Sequence, residues 1–257
     1  MKFTIVTCTW NSAATLAETI GSVNAQRGAQ IEHVFVDGGS TDGTLEIIAT
    51  MAPNAVVLRD RRGGISRAMN DGIAAATGDV IAHLHSDDFY ASPDVLSTVQ
   101  AAFAGAPQSR WLVGRMDVLR DGQRIAAAAP RHALTLQAFR RGAVSIPHPA
   151  VFIRRDLFDE CGGFEEHLKY AMDIDLWLRL LPVATPLTVH DTLAVFREHA
   201  GSVSTANVLA ARQEERRVRH SRWASAPLSS LIYELRFRKR FRRLQQQLAQ
   251  GLTDGRG

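Results

Sequence analysis

Apolar and polar positions come in short alternating blocks through the first ninety residues. Residues 3–8, FTIVTC, are apolar and β-branched. They run into the turn-like TWNSA, after which Leu16, Ile20 and Val23 recur at helical spacing. The same plan then repeats. IEHVFVD (31–37) reads as a strand, GGSTDG (38–43) as a loop and TLEIIATM (44–51) as a helix whose free N–H groups Ser40 or Thr41 is expected to cap. AVVLRD (55–60) predicts a third strand, ISRAMNDGIAAAT (65–77) a helix ended by Gly78, and DVIAHLHSDD (79–88) a fourth strand. Strands and helices alternating at these lengths predict an α/β domain around a mainly parallel sheet. There is no internal repeat or low-complexity linker.

Composition is consistent with that picture. The chain has 257 residues, 46% hydrophobic and 22% charged, enough apolar material for a sizeable core. No run approaches the roughly 18 to 20 apolar residues of a membrane span, and MKFTIVTCTWNS turns polar too early for a signal peptide, so a cytoplasmic location is expected. Cys8 and Cys161 have neither CxxC spacing nor a disulfide framework, and read as packing residues. The net charge of +4 is unevenly spread. Residues 212–257 hold 12 Lys+Arg against 4 Asp+Glu, so the rest of the chain is acidic. The chain therefore divides into a body, 1–205, and a basic helical extension, 206–257.

In open α/β sheets ligands bind beyond the carboxyl ends of the strands, where loops meet helix N-termini. Thr9, Trp10 and Asn11 stand at such an end, as do Asp37 and the pair Asp87 and Asp88. A carboxylate there can accept hydrogen bonds from a nucleoside, and Gly38 beside it lets a ligand approach the backbone. The competing reading is that Asp37 or Asp42 only starts a turn or caps a helix. Adjacent carboxylates such as Asp87 and Asp88 repel unless a cation or donors compensate, and their oxygens suit Mg2+ or Mn2+. A surface turn is the alternative. A zinc site on His83 and His85 is not expected, because no third ligand stands near them in sequence.

Four segments in order, FTIVTCTWNSAATLAETIGSVNAQ, VFVDGGSTDGTLEII, GGISRAMNDGIAAATGDVIAHLHSDD and HPAVFIRRDLFDECGGFEEHLKYAMDIDLWLRL, resemble the hallmark segments of family 2 glycosyltransferases. The resemblance spans about residues 3–204. It implies a GT-A, Rossmann-like fold, a nucleotide-sugar donor that is commonly UDP-linked, a divalent metal, and transfer with inversion at the anomeric carbon. Carried onto this chain, it implies that Trp10 stacks on the base, Asp37 holds the nucleoside, Asp87 serves the ribose or metal, and Asp88 serves the metal bridging the diphosphate. A buried core Trp10 is the alternative. Asp173 aligns with the catalytic base and Asp175 with a structural partner, both expected just before a helix bearing Leu176, Leu180 and Leu181. Met172 replaces the Glu usual there. Gly162, Gly163 and Phe164 match a loop facing the acceptor. His148 and His199 match polar positions near the sugar-diphosphate, as metal ligand, phosphate donor or structural residue. Arg62 and Arg67 stand where the family usually has acids.

In the extension, Tyr233, Phe237, Phe241, Leu244 and Leu248 fall at spacings of 4, 4, 3 and 4, interleaved with Arg236, Arg238, Lys239, Arg240, Arg242 and Arg243. Such a helix suits an anionic membrane, a partner helix or the body itself; the first is the expectation, placing the protein on the inner face of the cell membrane. Nucleic acid is not an expected partner, since the body is acidic and lacks a binding motif. The expected activity is sugar transfer to a saccharide or glycolipid acceptor in surface polysaccharide or glycolipid synthesis. A nucleotidyltransferase and a nucleotide-sugar-binding protein without transfer are the rivals. The first would need basic residues in TWNSAAT, and the second is disfavoured by Asp173.

Overall fold

The computed structural model describes residues 1–128, 132–198, 207–222 and 227–254. Its strands are β1 (Lys2–Thr9), β2 (Gln30–Asp37), β3 (Val56–Leu58), β4 (Val80–His83), β5 (Phe89–Tyr90), β6 (Trp111–Arg120), β7 (Gln123–Ile125), β8 (Val151–Arg154) and β9 (Leu187–Arg197). The helices are α1 (Leu16–Asn24), α2 (Thr44–Met51), α3 (Ile65–Ala75), α4 (Val95–Gly105), α5 (Leu136–Arg140), α6 (Arg155–Cys161), α7 (Met172–Val183), α8 (Val208–Ser221) and α9 (Pro227–Asp254), with a 3-10 turn at His148–Ala150.

One sheet runs in the order β3-β2-β1-β4-β8-β6-β9-β5, with β7 paired to β6. The first four strands are parallel, as the alternating pattern predicts. β8 enters antiparallel between β4 and β6, and β5 closes the edge antiparallel to β9, so the second half of the sheet is mixed. Both faces are covered. Phe3 and Ile5 of β1 pack toward α4, while Val6 and Cys8 pack toward α3 and α7. That is why β1 reads as almost continuously apolar. Burial raises the Cys8 thiol to about 12, which makes it a packing group.

Several boundaries differ from the sequence expectation. The third strand keeps only Val56–Leu58. The fourth stops at His83, because residues 84–88 turn, with the Asp88 N–H donating to the His85 carbonyl at 3.1 Å. Neither Ser40 nor Thr41 caps α2. Gly43 holds the N-cap position at φ 92°, and Asp42 takes the N–H and hydroxyl of Thr44. Gly78 does not cap α3. It is required by close approach, since a Cβ there would lie 2.7 Å from the Thr4 backbone nitrogen.

The extension also differs. Its expected boundary falls in 199–206, outside the described residues, but α8 and α9 are fastened to the body. Tyr233 is 4% exposed. Arg219 lies over the rings of both Tyr233 and Phe139, and Tyr233, Phe237 and Phe241 form a stacked row. The aromatic stripe expected to meet lipid thus faces the body in its first turns. The exposed apolar side of α9 is Leu228, Leu231 and Leu235, each close to 60% exposed. No helix among the described residues is long and apolar enough to cross a membrane.

Candidate active site

The ends of β1, β2 and β4 are laced into one edge. Asn11 takes a left-handed turn at φ 50°, a conformation asparagine tolerates, and its side chain accepts the Thr41 N–H at 2.9 Å. Its own N–H donates to the Ser40 hydroxyl, and the Gly38 N–H donates to the Thr9 carbonyl. Trp10 is 70% exposed, so the core reading of this residue is excluded. Its ring lies beside Gly38, open to a planar ligand. Asp37 is fully buried and already engaged. It accepts the Thr9 and Ser40 hydroxyls and the Gly39 and Ser40 N–H groups, at 2.5 to 2.9 Å. Burial alone would raise its pKa, but these bonds outweigh burial and hold it below the usual carboxylate range. These bonds shape the loop that presents Gly38 and Trp10. Arg62 is exposed next to Gly39, at the rim of the same loop, while Arg67 lies beside Gly63.

The second half of the edge is the 86–88 turn. Ser12 bonds Ser86 at 2.8 Å, Thr15 donates to the Ser86 carbonyl and Thr19 to the Asp88 carbonyl. The Asp88 side chain is 1% exposed. Oδ1 accepts the Arg197 N–H at 3.0 Å, whereas Oδ2 is buried with no hydrogen-bond partner among the described residues. Burial, then the charge of Asp87, pushes the Asp88 carboxyl well above its ordinary range. A buried oxygen without a donor beside a second carboxylate is the environment a divalent cation relieves, so the residues fit one. Among the described residues no group of three or more His, Cys, Asp or Glu is arranged to hold a metal. The fit is therefore to a cation completed by ligand oxygens. His199 lies outside the described residues.

Behind this edge the fold brings together what the sequence kept apart. The ring of His148 lies 5.5 Å from that of His83, 5.3 Å from His85 and 5.7 Å from Trp177 of α7. His148 is thus a third histidine beside His83 and His85 that the fold, not the spacing, brings near; among the described residues the rings form a packing layer rather than a metal cage. Burial holds His83 down to about 3 and His148 well below its usual value, so both are neutral near pH 7. Phe164, expected on an acceptor-facing loop, is 4% exposed and packs edge-on against His83. Gly162 is the exposed member of that loop. Asn70 clamps the loop by bonding both the Phe164 N–H and carbonyl, at 2.7 and 2.8 Å. Its side chain occupies the space a Cβ at Gly163 would need.

Asp173 and Asp175 lie inside the first turn of α7, whose N-cap is Ala171, and do not precede the helix as expected. Two apart on a helix, they point to different sides. Asp175, 3% exposed, is held by Arg179 at 2.9 Å and Arg222 at 2.8 Å. Asp173 has no ion pair among the described residues. Its Oδ1 accepts the Ile174 N–H at 2.7 Å, and desolvation pushes the carboxyl up to about 6. Arg179 also bonds the carbonyls of Cys161, Gly162 and Gly163, linking that loop to the turn. Glu214 of α8 accepts the N–H groups of Lys169, Tyr170 and Ala171 through one oxygen, at 2.5 to 3.0 Å. Asn70, Arg179, Arg197, Glu214 and Arg222 were absent from the sequence reading. Only Arg179 had a local signal, its i,i+4 spacing from Asp175.

A family model for glycosyl transferase family 2 matches residues 4–162. A PGL/p-HBAD biosynthesis glycosyltransferase of Mycobacterium tuberculosis is 33% identical over 209 residues, covering 79% of each chain. Among solved structures, S. aureus TarS 1-349 in complex with UDP-GlcNAc matches with a TM-score of 0.73 at 22% identity, over 91% of this chain and 70% of that one. This chain matches 39% of the longer TarS chain. Mannosyltransferase PcManGT from Pyrobaculum calidifontis, in complex with GDP-Man and Mn2+, gives 0.61 at 17% identity, over 91% and 73%. The structural likenesses show the fold, which is GT-A.

Proposed function

We propose, from the premise that this chain belongs to glycosyl transferase family 2, that it moves a sugar from a nucleotide-sugar, UDP-linked by preference, to a hydroxyl of a saccharide or glycolipid acceptor with inversion. The observation that carries this reading is the first turn of α7. There one aspartate is neutralised by two arginines, and the other has no ion pair and a carboxyl pushed up to about 6. A single inverting displacement needs one base, and a carboxylate of that pKa is mostly ionised at pH 7. Oδ1 of Asp173 is fixed by the Ile174 N–H, which leaves Oδ2 to take the acceptor proton.

The donor reading draws on the exposed Trp10 ring for the base and the Gly38 loop for close backbone approach. The neighbours solved with UDP-GlcNAc and GDP-Man support it. Asp88, with Asp87, would hold Mn2+ or Mg2+, whose chemistry when bound is to neutralise the departing diphosphate. The relative named for PGL/p-HBAD biosynthesis supports a glycolipid-type acceptor.

For location we propose the cytoplasmic face of the cell membrane, through the exposed side of α9. Leu228, Leu231 and Leu235 supply apolar area, and Arg238, Lys239 and Arg242 continue that side with positive charge. Full-length protein that fails to sediment with anionic vesicles at low salt ends this part of the reading. The transfer reading is tested by thermal stabilisation against a panel of nucleotide-sugars with and without Mn2+, followed by assay of nucleoside diphosphate release. One donor is expected to raise the melting temperature, and more so with Mn2+. No response to any donor at millimolar concentration would refute it.

A further inference from the structure

Several arginines of α8, its C-cap and α9 are paired with carboxylates. Arg216 and Arg238 pair with Glu234, Arg212 and Arg219 with Glu215, and Arg222 with Asp175 and Glu165. Arg236 and Arg240, one helical turn apart, have no carboxylate within ion-pair distance among the described residues. Each instead donates one guanidinium N–H to a backbone carbonyl after α5, Arg236 to Arg141 at 3.1 Å and Arg240 to Gly142 at 3.2 Å. Those bonds hold both side chains across the seam between α9 and the body.

The seam bears a solvent-open cavity of about 320 Å3 lined by His132, Ala143, Arg236 and Arg240, of which His132 and Arg240 are exposed. Its wall is set by packing. Gly142 adopts φ +61°, and the Tyr233 ring lies 3.0 Å from where its Cβ would be. Like charges a turn apart repel, and an anion in the cavity relieves that repulsion. Guanidinium forks match phosphate oxygens in geometry, and the remaining N–H groups of Arg236 and Arg240 have no protein acceptor among the described residues. The volume is at the bottom of the ligand-pocket range, which suits a phosphoryl headgroup and not a whole nucleotide-sugar.

We propose that this seam cavity is a phosphate-binding site, built by Arg236, Arg240 and His132 apart from the loops of Trp10, Asp37 and Asp88. The phosphate belongs either to an anionic lipid headgroup or to a free phosphate.

The test is calorimetric titration of the full chain with inorganic phosphate and with dihexanoyl phosphatidylglycerol below its micelle concentration, at matched ionic strength. Saturable one-to-one binding is expected, at least about tenfold weaker in Arg236→Gln/Arg240→Gln and within twofold of wild type in the equally charge-reduced Arg27→Gln/Arg217→Gln, two exposed positions away from the seam. Tighter binding of the lipid assigns a headgroup, and tighter binding of phosphate assigns the free anion; both support the site. Absence of saturable binding by either probe overturns it, as does equal affinity in the two double variants. Should the first double variant melt well below wild type, Ala143→Glu decides, because it places a carboxylate in the cavity and leaves both arginine–carbonyl bonds in place. Unchanged affinity in Ala143→Glu overturns the proposal.

Discussion

The two carboxylate pairs of the site, Asp87–Asp88 on a strand-end turn and Asp173–Asp175 in a helical turn, reach opposite solutions to the same repulsion. On the turn the acids are adjacent, and Asp88 is left with one buried oxygen that no donor among the described residues satisfies. On α7 a spacing of two sends the side chains to different sides, so Asp175 collects Arg179 and Arg222 while Asp173 has no ion pair among the described residues. The first arrangement leaves a carboxylate oxygen uncompensated among the described residues; the second pairs one acid and leaves the other free of an ion pair among them. A helix can separate the duties of two acids that a turn must share.

That contrast is broken most directly at Asp173. Asp173→Asn should lower the transfer rate by roughly 10² to 10⁴ with donor affinity within a few-fold, as measured by turnover and equilibrium binding. An active Asp173→Asn beside a folded but inactive Asp175→Asn would reverse the roles assigned here. Asp175→Asn should instead cost about 3 kcal/mol in urea unfolding, because it strands two partly buried arginines. The pH profile sharpens the same point. Transfer needs ionised Asp173, whose folded pKa is raised, so kcat/KM should fall as pH drops through about 6, approaching tenfold per unit below it. An inflection near 4 would show that Asp173 is not the titrating base. The smallest effect is expected at the strand end: in EDTA, Asp88→Asn should melt slightly above wild type, by about 1 kcal/mol of stability, because it removes the carboxylate repulsion and keeps the shape. A lower melting temperature would mean that Asp88 is already compensated within the protein.

Much of the first half was legible because its contacts follow chain order. The α2 helix, Thr44–Met51, matches its pattern residue for residue, and the β1–β4 parallel unit follows from alternation alone. The later sheet was not, because β8 inserts between β4 and β6 by pairings that no local periodicity encodes. Site residues divide the same way. Acids at strand ends announce themselves, but Asn70 reaches Phe164 across 94 positions and Arg222 reaches Asp175 across 47. The tail shows a different limit: period revealed an aromatic face on α9 but not that Gly142 and Arg219 would cover its start. The same periodicity concealed the leucine side, since Leu228, Leu231 and Leu235 belong to a second stripe.

Glu214 gathers three successive backbone N–H groups at the entrance to α7, and this gives α8 leverage over the start of that helix. Three donors that share one oxygen lose their partner together, so a change at Glu214 unpairs them as a set rather than one by one. The entrance to α7 is hinged on a single carboxylate 43 to 45 positions further along the sequence.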